Sequence, residues 1–67
     1  MRETGRVVRF DATHGFIKPD SGAHTVFVHQ SDLQMEGYRE LSPGNLVEFE
    51  IEQGTRGPHA VRVKVIQ

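Results

Sequence analysis

Apolar residues in this chain recur at every second position in short bursts, and each burst is closed by a turn signal. The clearest runs from Leu46 to Glu52, where Val47, Phe49 and Ile51 alternate with Glu48, Glu50 and Glu52. That is the period of a strand with one dry face and one wet, acidic face. Ala60 to Ile66 repeats the rule, with Val61, Val63 and Val65 on the side opposite Arg62 and Lys64. Earlier in the chain the bursts are shorter: Gly5 to Asp11 with Val7 and Val8, Gly15 to Pro19 with Phe16 and Ile17, and the stretch from Thr25 to Leu33. Between them stand Gly15, "PDSG", Gly37, "SPGN" and "GTRGP", the residue types that make tight turns. The pattern predicts five short strands and a small all-β barrel or sandwich.

Ser31 to Gly44 is too long for a tight hairpin and has no sustained helical period, although "SDLQ" suits a single helical or 3₁₀ turn. It reads as a loop of functional length. Five strands with one long excursion after the third favour a closed or nearly closed barrel, because closure removes edges that so small a sheet cannot otherwise protect.

The third strand then raises a question of placement. Val26 and Val28 point to one face, and so Phe27 and His29 must point to the other. With the inward valines, Ile17, Phe49 and Ile51 taken as core, Phe16, Phe27, His29 and Phe10 are left to gather outside on strands one to three. Taken singly, Phe10 and Phe16 would more often be core residues and His29 a satisfied surface histidine. Their company makes the difference, since an exposed aromatic patch fringed by cations is a recurring surface for stacking the bases of single-stranded nucleic acid. Arg9, His14, Lys18 and Arg39 are the cations nearest that patch in the strand pattern. Arg56 is as well explained as a turn residue as by phosphate contact.

Composition narrows the alternatives. The chain has 67 residues, no cysteine and a formal net charge of -1. The length suits one domain, residues 1–67, which without disulfides or thiolate metal sites must depend on its apolar core. A near-neutral charge means that any nucleic-acid site rests on local arrangement rather than on an overall basic surface. No segment resembles a signal peptide or membrane span, so a cytoplasmic monomer with no membrane partner is the expectation. Catalysis is not expected. There is no thiol nucleophile, no Gly-rich phosphate loop before a helix, and His14, His24, His29 and His59 lack paired metal-ligand spacing. No metal or cofactor is expected either.

The residues also resemble a known family. "GRVVRF" (Gly5 to Phe10) is similar to the opening G-x-V-K-W-F of bacterial cold-shock proteins, "HGFI" (His14 to Ile17) to the end of their first ribonucleoprotein motif, K-G-F-G-F-I, and "VFVHQS" (Val26 to Ser31) to the second, V-F-V-H-x-S. The following loop, the fourth strand and "GTRGPHA" continue the resemblance to about Val63. It implies a cold-shock domain, a five-stranded antiparallel OB-fold barrel, that binds single-stranded RNA or DNA, often pyrimidine-rich, and acts as an RNA chaperone or regulator. Carried onto this chain, the contact positions are Phe16, Phe27, His29 and Tyr38, with Phe10 beside them. The chain departs from the family pattern where Arg9 stands for tryptophan, Gln30 for an aromatic and His14 for lysine, and where the first motif is two residues shorter. Fewer stacking platforms imply weaker, more electrostatic binding. They also motivate the alternative that the barrel serves as a scaffold for a protein partner.

Overall fold

The structure is a computed structural model that describes residues 2–22, 24–37 and 39–67. Five strands form in chain order, β1 (Glu3–Asp11), β2 (His14–Pro19), β3 (Val26–His29), β4 (Leu46–Gly54) and β5 (Gly57–Val65), with a 3₁₀ turn at Gln30–Asp32 directly after β3. They close into a barrel in the order β1-β2-β3-β5-β4, as the edge argument predicts. Four of the junctions are antiparallel, but β3 and β5 run parallel. A closed ring with an odd number of strands cannot alternate direction everywhere. The parallel junction falls where the long 31–44 connection lets the chain cross the barrel before β4.

Inside lie Val7, Ile17, Val26, Val28, Val47, Phe49, Ala60 and Val63, each at most 3% exposed. Two further core residues, Leu33 and Leu41, come from the long connection, which packs Met35 against the same cluster. That segment is therefore partly a plug. Its anchoring is specific: Leu33 bridges to Val63, and the Gln34 N–H donates to the Val63 carbonyl at 2.7 Å.

Two bulges break the alternation and correct the sequence expectation. In β1, Val7 pairs with Ile17 but Arg9 pairs with Phe16, so Val8 is an extra residue without a partner. Val8 faces solvent, 48% exposed, as alternation from Val7 requires, and the extra residue turns the next two positions over, with Arg9 exposed and Phe10 partly buried. In β5, Glu48 pairs with Lys64 and Glu50 with Val61, so Arg62 and Val63 together oppose Phe49. Arg62 takes a left-handed φ of 50° at this point. The inward series of β5 is thus Ala60 and Val63, with Val65 partly buried, whereas Val61 is shielded from solvent but lies outside the contiguous core. Ile51 is likewise only partly buried.

The β1–β2 hairpin sets the site. Its turn residue Ala12 has φ 56°, a left-handed conformation costly for any residue with a Cβ. Gly15 faces Phe10 across the ladder, where a Cβ would collide with the Arg9 carbonyl and come within 2.9 Å of the Phe10 ring. Only glycine allows the two strands to approach so closely here.

Candidate nucleic-acid interface

The outward face of β1, β2, β3 and β5 carries the candidate residues. Phe16 and Phe27 are cross-strand partners, His14 is the partner of His29, and Arg9 lies across from Phe16. Because all five positions share the outward phase of the pleat, their side chains form one surface. The His14 ring stacks on Phe27 with centroids 5.8 Å apart and an interplanar angle of 26°. Phe16 meets Phe27 edge-on at 6.1 Å and 75°. Phe16 and Phe27 remain 36% and 39% exposed, so the barrel leaves their outer faces open to solvent.

Phe10 does not join them. The bulge at Val8 shifts its phase, and Phe10 faces Gly15 on the inner side, partly buried against the core. This corrects its expected outward position. His29 is held by the turn that follows β3: the Ser31 N–H donates to Nδ1 at 3.1 Å, and the Ser31 hydroxyl lies 2.9 Å from the same nitrogen. With Nδ1 accepting, the neutral ring carries its proton on Nε2 and offers a donor.

The cations are placed at the margins. Arg56 lines an open groove of about 460 Å³, within the range of small-ligand sites, that runs between Phe27 and the β4–β5 turn. Arg39 lines a second groove beyond His29, together with Gln30, Ser31 and Gly37. His29 borders both. Lys18 projects from the same face, paired across the ladder with Arg6, and makes contacts of its own. Arg9 is exposed on this face and held by Asp11, its Nε and Nη2 both donating to Asp11 Oδ2, at 3.2 and 2.9 Å. Tyr38 lies outside the described residues.

Sequence reasoning missed His59, Asp32 and Asp11. His59 is the parallel partner of Phe27 and packs its ring over Gly54 on the floor of the first groove. No local signal announces this, since it depends on which strand closes the barrel. Asp11 could have been found, because positions 9 and 11 share a face of any strand.

The acidic strand lies elsewhere. Glu48, Glu50 and Glu52 face outward on β4 and are bound by Arg2 and Arg62 in pairs of 2.9 to 3.3 Å. The Arg62 hydrogen bond, against the opposing effect of burial and with the charges of Arg62 and Arg2 adding to it, holds the Glu50 carboxyl below its ordinary range. The same contacts raise Arg62. The three glutamates are thus each engaged by an arginine, although Glu52 lies across the ladder from His59. Among the described residues no group of three or more His, Asp or Glu side chains is arranged to hold a metal. Among the same described residues no helix is long and apolar enough to cross a membrane.

A small barrel with outward stacked rings and basic margins belongs to the nucleic-acid-binding class. Comparison with known proteins agrees. Residues 3–66 match the family described as the 'Cold-shock' DNA-binding domain. The chain is 48% identical over 65 residues to a cold shock-like protein of Thermotoga maritima, covering 94% of this chain and 97% of that one. It is 52% identical over 62 residues to cold shock-like protein CspB of Yersinia pestis, covering 90% and 89%. The solved structure of Drosophila Unr CSD456 superposes with a TM-score of 0.85 at 22% identity, over all of this chain and 27% of that one, which shows the shared fold. The chain belongs to the cold-shock domain family.

Proposed function

We propose that this protein binds single-stranded RNA or DNA, favouring pyrimidine-rich strands, and acts as an RNA chaperone or as a regulator of transcription or translation. The observation that carries the reading is the exposed stack of His14 on Phe27 with Phe16 edge-on, bordered by two grooves that each hold an arginine. Rings accept any base face, and guanidinium groups track phosphates, so the two features together suit a strand that is held without duplex pairing. The strand would pass from the Arg56 groove over Phe27 and His29 to the Arg39 groove. The reading is one of binding rather than catalysis, by a single cold-shock-like domain acting as a monomer in the cytoplasm.

The test is fluorescence anisotropy with labelled oligo-U, oligo-dT, oligo-dA and a short duplex, the label being needed because the chain has no tryptophan. Pyrimidine strands should bind at micromolar concentration or tighter, with log K falling by roughly 2 to 3 per decade of salt for three or four engaged phosphates. Phe27→Ala removes one platform, worth about 1–3 kcal/mol, and should weaken binding roughly 5- to 150-fold. Failure of every strand to bind at low salt would refute the proposal.

A further inference from the structure

The first groove contains a group that a surface for phosphates should not contain. Asp32, from the 3₁₀ turn, lines it together with Phe16, Phe27, His29, Arg56 and His59. Among the described residues no side chain pairs with its carboxylate: the ion pairs of the structure involve Asp11, Glu48, Glu50 and Glu52 instead. Arg56 lines the same groove but forms no ion pair with it. A carboxylate here repels a polyanion unless it faces a base edge, where it acts as an acceptor with two oxygens and no proton to give.

The four bases answer such an acceptor differently. Uracil and thymine offer one N–H between two carbonyl oxygens. Cytosine and adenine offer an amino group beside an unprotonated ring nitrogen. Guanine alone presents two adjacent donors, N1–H and the N2 amino group, which match the two oxygens of a carboxylate. Its remaining edge atom, O6, is an acceptor, and the groove supplies donors for it in His29 Nε2–H and the Arg56 guanidinium.

From this match we infer that the groove between Phe27 and the β4–β5 turn is a base-selective subsite for guanine, with Asp32 as its specificity-determining residue. This rests on the single-strand reading above and deepens it: a pyrimidine-rich strand is held by stacking, and one position in it is read as guanine. A doubly hydrogen-bonded edge should favour guanine over uracil at that position by roughly tenfold.

The experiment uses the intact protein and short oligo-U strands carrying a single guanosine, inosine, adenosine or cytidine at each position in turn, with Kd measured by anisotropy. Wild type should prefer guanosine roughly tenfold at one position, and inosine, which lacks the N2 amino group, should lose much of that gain. Asp32→Ala should abolish the guanosine preference, so that guanosine-bearing and all-uridine strands bind the variant alike. Asp32→Asn keeps the shape but presents an oxygen beside an NH₂, and should move the preference from guanosine toward adenosine. A guanosine preference absent from every position, or one that survives Asp32→Ala, would overturn the inference. Equal tightening of all strands by Asp32→Ala would also overturn it, by showing that the carboxylate only repels. Absence of wild-type binding to any strand would instead remove the single-strand reading, and this subsite with it.

Discussion

Asp11→Asn is expected to strengthen binding of single strands, although it adds no positive charge. Arg9 stands across from Phe16 on the stacking face, but both its Nε and Nη2 are spent on Asp11 Oδ2. The two side chains are 65% and 63% exposed, and an ion pair in that setting is worth no more than about 1 kcal/mol. An arriving phosphate must displace the carboxylate from the guanidinium and then remain near it. Across one guanidinium, roughly 7 Å, two like charges in water repel by about 0.6 kcal/mol. Screening over a Debye length of about 8 Å reduces this to roughly 0.25 kcal/mol at physiological salt. Adding the lost competition gives a gain of roughly 0.5–1 kcal/mol, or about two- to fivefold in affinity. The freed cation engages about one further phosphate, so the salt slope should steepen by roughly 0.7. Anisotropy titrations of labelled oligo-U at about 50 and about 200 mM salt read both quantities. Unchanged affinity at the lower salt would refute the masking of Arg9. So would an equal gain from Asp11→Asn in an Arg9→Ala background, which would mark a general charge effect instead.

Three stability predictions follow from the barrel. Ala12→Gly relieves a left-handed residue that costs about 1–2 kcal/mol, less the roughly 0.4–1 kcal/mol of chain entropy that glycine adds to the unfolded state. The net gain of about 0.5–1 kcal/mol should raise Tm by roughly 3–6 °C in calorimetry, and a lower Tm would contradict it. Glu50 titrates below its ordinary value because Arg62 bonds its ionised form, so its contribution is complete above about pH 4.3 and is lost as pH falls through the lower folded value. Chemical melts between neutral and acid pH should therefore show wild type and Glu50→Gln converging as the solution is acidified; parallel curves would dismiss the coupling. Phe49, fully buried at the barrel centre, should cost about 3–5 kcal/mol on replacement by Ala, comparable to the whole stability of so short a chain. Circular dichroism should find Phe49→Ala largely unfolded near room temperature, and a cooperative melt close to that of wild type would place the core elsewhere.

What the sequence by itself determined is what depends on near neighbours. Alternation in Leu46 to Glu52 marks Val47 and Phe49 as core and the three glutamates as surface, because side-chain period two is a property of the strand alone. The same period turns Phe27 and His29 outward once Val26 and Val28 are inside, and the dense turn residues delimit five strands. The stretch Thr25 to Leu33 is strand only as far as His29, and the 3₁₀ turn that "SDLQ" suggested begins one residue earlier, at Gln30. Only the tertiary structure decided the rest. The bulges at Val8 and Arg62 arise from the registers that β1 keeps with β2 and that β5 keeps with β4, and they exchange inside for outside beyond the point where they occur. Phe10 turns inward and Arg9 outward for that reason. The burial of Leu33 and Leu41 follows from how the long connection crosses the barrel end. The parallel closure of β3 on β5 brings His59 beside Phe27 and sets the turn that bears Arg56 along the same groove as Asp32. Pairing between strands some thirty residues apart is a long-range choice among registers, made by the closing of the ring, and no local pattern of apolar and polar residues records it.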